Sequence, residues 1–142
     1  DEVALAAFTS SYSGGLRILN NFTQDSTLLL PNLEELALRA SGGTPLYRST
    51  SEMIDYVVAN ANQSNKAVIA FTDGEDTNGG ISLQALTEKA RNANVQIYTV
   101  GLSEDVDENV LAYMAGESDG AFMWAEDADQ LITMFGTLGD LL

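Results

Sequence analysis

The segment Ala67-Val68-Ile69-Ala70-Phe71-Thr72 constrains this chain more than any other stretch. It runs apolar without interruption and then breaks into Asp73-Gly74-Glu75-Asp76-Thr77-Asn78-Gly79-Gly80. A run of β-branched and aromatic residues bounded by turn formers reads as a strand buried on both faces. The Gly- and Asp-rich stretch behind it reads as a loop at the strand's carboxyl end. Open α/β sheets hold their ligands outside the carboxyl ends of the strands. Asp73 therefore leaves the strand at the mouth of the expected crevice. The same residue type also serves there as a plain turn or helix cap, and both readings stand on the local pattern.

The rest of the chain arranges itself around that strand. Val3 to Phe8 reads as a strand, Ser10 to Gly15 as a turn, and Leu16 to Phe22 as an edge strand, so the two form a hairpin. Asp25-Ser26-Thr27 can cap a short helix between about Ser26 and Ala40, with Leu33, Leu36, Ala37 and Ala40 at helical spacing. Gly42-Gly43 opens a loop, and Pro45 suits the first turn of a long helix whose apolar face is Leu46, Met53, Ile54, Val57, Val58 and Ala61. Ser82 is the N-cap of the next helix, with Leu83, Leu86, Ala90 and Ala93 as its stripe. Val95 to Gly101 is a strand, and Asp107 to Ala115 a helix with Val110, Leu111 and Met114 inward. Ala121 to Ala125 is the last strand. A final helix begins at Asp127 with Gln130 as capping-box partner, and buries Leu131, Ile132, Phe135 and Leu138. Strict alternation of helix and strand after Pro45 predicts a mainly parallel, doubly wound sheet covered on both faces. With no repeat, low-complexity tract or linker, residues 1–142 read as one α/β domain.

Composition narrows the function. Six basic against 21 acidic residues give a formal charge of -15. That argues against nucleic acid and anionic membrane as partners, since both attract basic surface. The chain has neither Cys nor His, so thiolate chemistry, the commonest general base and the commonest zinc ligand are all missing. No apolar run is long enough to insert into a bilayer. The chain begins at Asp1 rather than Met, which reads as an excised or processed piece.

Two loops meet at one end of the expected sheet. Gly43-Thr44-Pro45-Leu46-Tyr47 opens the helix before the central strand, and Asp73-Gly74-Glu75-Asp76 follows that strand. The Thr44 hydroxyl and the Asp73 carboxylate facing one crevice make a partial oxygen site for a hard cation. At these two segments the sequence resembles the von Willebrand factor type A domain in its bacterial form. Gln96 to Leu102, Gly120 to Ala125 and the opening Asp1 to Thr9 extend the resemblance in register over the whole chain. The resemblance implies a doubly wound sheet and a metal-ion-dependent adhesion site for Mg²⁺ or Mn²⁺. Thr44 and Asp73 match two of its ligand positions, and Gly43, Tyr47, Glu75 and Asp76 form the rim. It implies a non-catalytic protein-binding or adhesion module whose partner presents a carboxylate, in an extracytoplasmic or cell-surface setting. The family's first strand, with the Asp-x-Ser-x-Ser motif behind it, has no counterpart here. Thr9-Ser10-Ser11-Tyr12-Ser13 lacks the Asp and falls in the hairpin. Thr44 and Asp73 alone supply few oxygens, so Mg²⁺ should bind on the order of millimolar, about 4 kcal/mol.

Other chemistry fits less well. Asp73-Gly74-Glu75-Asp76-Thr77 brushes against the Asp-x-Asp-x-Thr pattern of haloacid-dehalogenase-like, Mg²⁺-dependent phosphohydrolases, but Glu75 replaces the second Asp and Lys89 lies mid-helix. A degenerate structural domain is a third reading. The acidic cluster Glu104, Asp105, Asp107 and Glu108 reads as a helix start and solvated loop. No Gly pair has the spacing or the Lys of a phosphate loop. In the family's strand order the missing strand lies between Val3–Phe8 and Ala67–Thr72, which leaves two apolar edges. The two strands close on each other, a strand of another chain fills the slot, or the hairpin moves. The second leaves the Pro45–Leu142 part unchanged and is the one expected, as a homo-oligomer with the hairpin near its interface.

Overall fold

The computed structural model describes residues 2–29, 31–32, 43–73, 75–77, 79–126, 129–130 and 133. Strands β1 (Val3–Phe8) and β2 (Leu16–Thr23) form an antiparallel hairpin. Gly14 and Gly15 take positive φ in its turn, at 84° and 88°, a region that glycine enters without steric cost. Behind the hairpin Asp25 accepts from Thr27 N and caps a single 3₁₀ turn, Ser26–Leu28. Most of the helix expected up to Ala40 lies outside the described residues.

From Leu46 the alternation appears as expected: α1 (Leu46–Asn60), β3 (Lys66–Thr72), α2 (Leu83–Ala93), β4 (Val95–Gly101), α3 (Glu108–Gly116) and β5 (Phe122–Trp124). β3, β4 and β5 lie side by side in that order, all parallel, with Val68 opposite Ile97 and Val100 opposite Met123. Local chemistry sets the helix ends. Ser82 Oγ accepts from Ala85 N, and Asp107 Oδ1 accepts from Val110 N. Asn94 closes α2 in the left-handed conformation at φ 54°, a place where Asn is tolerated better than most residues. Gly120 is needed where β5 approaches β4, since a Cβ there would sit 1.8 Å from the Ile97 carbonyl oxygen.

One face of the parallel sheet carries the main core. Leu46, Ile54 and Val57 of α1 meet Val68, Ala70, Val95 and Ile97 of the sheet, with Leu86 and Ala90 of α2 and Leu111 and Met114 of α3. Phe8 and Phe22 of the hairpin pack against the same cluster, and Phe22 stacks on Tyr56 of α1. On the other face Val100 and Ala125 are buried and Ile69, Phe71 and Met123 are only partly so. The central strand is therefore fully buried on one side and half-buried on the other.

Three expectations need correction. Val58 is 49% exposed; it lies one residue round the helix from inward Val57 and faces a groove between α1 and α2. Pro45 occupies the N-cap position, one residue before the first turn. Gln130 Oε1 accepts from Glu126 N, a residue earlier than its expected partner Asp127, which lies outside the described residues, as do Leu131, Ile132, Phe135 and Leu138. The sheet itself is split: β1 and β3 share no ladder, so the two strands do not close on each other.

Candidate functional site

Pro45 cannot cap a helix with its side chain, and α1 has no cap from its own flank. The cap comes from the loop behind β3. Asp76 Oδ1 accepts from Tyr47 N at 3.0 Å and Oδ2 from Gly79 N at 3.2 Å. A carboxylate at a helix N-terminus satisfies an orphan N–H and meets the positive end of the dipole. Beside it Thr44 N donates to Thr77 Oγ1 at 2.8 Å, and Thr77 N returns a bond to Thr44 O at 3.0 Å. Three direct links thus join the Gly43–Tyr47 segment to the segment behind β3.

The expected site residues fall on this joined surface with different roles. Gly43 is tied to the hairpin turn: its N donates to Ser10 Oγ at 2.6 Å, and its carbonyl accepts from Ser10 N at 3.0 Å. Thr44 is half-buried, and Asp73 is exposed at the end of β3. The Asp73 carbonyl accepts from Ser103 Oγ behind β4, and Leu102 N donates to Thr72 O at 2.8 Å. The carboxyl ends of β3 and β4 are thereby held together. Tyr47, Glu75 and Asp76, with Asp107, Leu46, Val110 and Leu111, line a cavity of about 90 Å³. Burial first, then the charges of Asp76, Asp107 and Glu75, push the Tyr47 phenol above its ordinary pKa.

A divalent cation finds an incomplete donor set here. Mg²⁺ requires near-octahedral oxygen coordination. Asp76 has both carboxylate oxygens engaged by backbone N–H groups, which leaves the Thr44 hydroxyl and the Asp73 carboxylate of the expected set. Among the described residues no group of three or more acidic side chains is placed to hold a metal ion. The described residues do not fit a tight Mg²⁺ or Mn²⁺ site.

The features expected of a phosphohydrolase are also scattered. Lys89 reaches away from Asp73, from α2 to α1, where it donates to Ser51 O, Ser51 Oγ and Asp55. In the acidic cluster Asp107 is a cap, and Glu108 accepts from Trp124 Nε1 at 3.0 Å. Phe122 and Trp124 meet edge-to-face on β5, as residues of a strand rather than a stacking platform. The role of Asp76 as a cap went unread in the sequence; its signal was a Pro at the helix start, which has no side chain to cap with.

The family model for the von Willebrand factor type A domain matches residues 1–137. Among solved structures, a von Willebrand factor type A protein from Catenulispora acidiphila superposes with a TM-score of 0.77 at 21% identity, covering 96% of this chain and 32% of that one. A pilus adhesin, SpaC from Lactobacillus rhamnosus GG, gives 0.72 at 15% identity, covering 98% and 24%. BatB, a conserved hypothetical protein from Bacteroides thetaiotaomicron, gives 0.69 at 18% identity, covering 96% and 77%. No curated protein matches the chain.

Proposed function

This chain belongs to the von Willebrand factor type A family, and from that premise we propose that it works as a non-catalytic protein-binding module. The observation that carries the reading is the hydrogen bonding of Thr44 and Tyr47 to Thr77 and Asp76 behind β3; to the surface around it we assign Gly43, Thr44, Tyr47, Asp73, Glu75 and Asp76. Rigid elements that hold exposed loops are the usual setting for recognition. A partner carboxylate bridged by Mg²⁺ or Mn²⁺ needs a filled cation site, which Thr44 and Asp73 do not complete alone. The reading therefore rests on the loop surface. A cell-surface or extracytoplasmic setting goes with it, in keeping with the pilus adhesin among the similar folds.

Calorimetry tests the cation. Mg²⁺ should bind on the order of millimolar or weaker, about 4 kcal/mol. Micromolar affinity that vanishes in Thr44→Ala would show a complete site. Turnover of a phosphomonoester with Mg²⁺, lost in Asp73→Asn, would replace the binding module by a phosphohydrolase.

A further inference from the structure

We propose that the groove between α1 and α2 is a second interaction surface, and that it takes one basic amphipathic helix of another protein. The groove holds about 520 Å³ and is lined by residues of these two helices alone. Both helices are described over their full length. Ile54 lies at the floor, 0% exposed, and Val58, one turn further along α1, stands in the wall at 49% exposed. Ala85 and Ala93 line the groove from α2. It shares no residue with the loop surface at the carboxyl end of β3, so the two surfaces are separate.

Three features select the occupant. The first is shape. Both walls are α-helices, whose backbone groups bond within each helix, so an extended segment gains no ladder here. Ile54 and Val58 on α1, and Ala85, Lys89 and Ala93 on α2, recur four residues apart and form two rows along the groove. A third helix seats its own row of side chains between such rows, and the small Ala85 and Ala93 let its axis come close. The 11 residues of α2 span about 16 Å, so an entrant of about three turns covers the groove. The second feature is rigidity. Lys89 crosses from α2 to donate to Ser51 O, Ser51 Oγ and Asp55 Oδ2 on α1. The walls are thereby fastened before a partner arrives, which lowers the ordering cost of binding. The third is charge. Those bonds take up the Lys89 ammonium. Asp55 stays 69% exposed beside it, and exposed Glu88 accepts from the neutral Gln84 amide, which leaves its charge in place. The lining thus sets two carboxylates against one ammonium, in a chain of formal charge -15. An apolar floor with an acidic rim matches a helix whose apolar stripe is flanked by Lys or Arg. The same net charge sets a second copy of this chain against the first.

The test titrates the 142-residue chain with the peptide acetyl-Lys-Ala-Leu-Lys-Lys-Ala-Leu-Lys-Lys-Leu-Ala-Lys-amide. Calorimetry is run in about 150 mM NaCl, where exposed charges act over about 8 Å, and backbone amide shifts are followed by NMR. The expected result is a one-to-one complex whose shift changes centre on Ile54 to Val58 and Ala85 to Ala93. Val58→Glu and Glu88→Lys change exposed positions, so each should keep the melting temperature and weaken binding at least tenfold. Glu104→Lys makes the same change of net charge as Glu88→Lys, but outside the groove, and should leave the affinity within twofold. A twin peptide with proline at its second leucine should bind at least tenfold more weakly. Absence of binding, equal binding of the proline twin or of the Val58→Glu chain, or equal losses in Glu88→Lys and Glu104→Lys each overturns the proposal. A dimer of the free chain in light scattering that Val58→Glu dissolves overturns it in favour of a second copy. None of these outcomes bears on the loop surface, which shares no residue with the groove.

Discussion

Asp76 caps a helix 29 residues away from it in sequence, and the loop behind β3 takes its shape from that bond and the one to Gly79 N. Asp76→Ala removes both acceptors at once. Lost caps typically cost 0.5–2 kcal/mol, so urea denaturation should show a loss of about 1–2 kcal/mol, with Asp76→Asn recovering part of it through its one remaining carbonyl oxygen. Tyr47 gives a pH signature of the same loop. Its phenol is raised by burial and by Asp76, Asp107 and Glu75, so the folded chain holds that proton more tightly than the unfolded chain. Stability is fully present below the unfolded value near pH 10 and falls as pH rises through the higher folded value. Tyr47→Phe should flatten that alkaline fall in a series of thermal melts. Thr44 and Asp73 could be placed in advance because Pro before a helix and Asp after an apolar strand are local signals. Asp76 could not, since its partners come to it only when the chain folds.

Lys89 works between elements. From α2 it reaches Ser51 O at 3.0 Å, Ser51 Oγ at 2.9 Å and Asp55 at 2.7 Å on α1, while Asp55 remains 69% exposed. The exposed ion pair contributes little, and the two bonds to Ser51 carry more. Lys89→Met keeps the apolar stem and should cost about 1 kcal/mol, little changed by salt, as chemical denaturation at low and high NaCl would show. Helix caps at Ser82 and Asp107 were legible because cap and helix are neighbours in sequence, and the central strand because an uninterrupted apolar run admits few alternatives. Val58 was not: an apolar residue at the border of a helical stripe turns inward or outward according to what stands beside it, and α2 leaves a groove there. The split between β1 and β3 was legible only from the resemblance, since strand order is a long-range property that no local pattern encodes.

The sequence sets 21 acidic residues against 6 basic ones, and among the described residues the ion pairs Arg48–Glu52, Lys89–Asp55 and Arg91–Glu117 each engage one of those few cations. Self-repulsion on this scale weakens the compact state, and salt screens it over a Debye length of about 8 Å at physiological ionic strength. The melting temperature should therefore rise by several degrees (about 1 kcal/mol) between 10 and 300 mM NaCl. A flat or falling profile in calorimetric scans would show that the charges are too far apart to matter. The separate ladders have a further consequence, for the order of assembly. β3, β4 and β5 are consecutive in the chain and adjacent in space, each joined to the next by one helical crossover that packs on the same core, so they assemble as one nucleus. Among the described residues the hairpin shares no ladder with that nucleus and meets the rest of the chain through side-chain packing and a few hydrogen bonds such as Tyr56 to Asn21 and Asn62 N to Glu2, so its docking falls late on the folding route. Weakened contacts at Phe22 should then shorten the lifetime of the native state while leaving the speed of its formation nearly untouched.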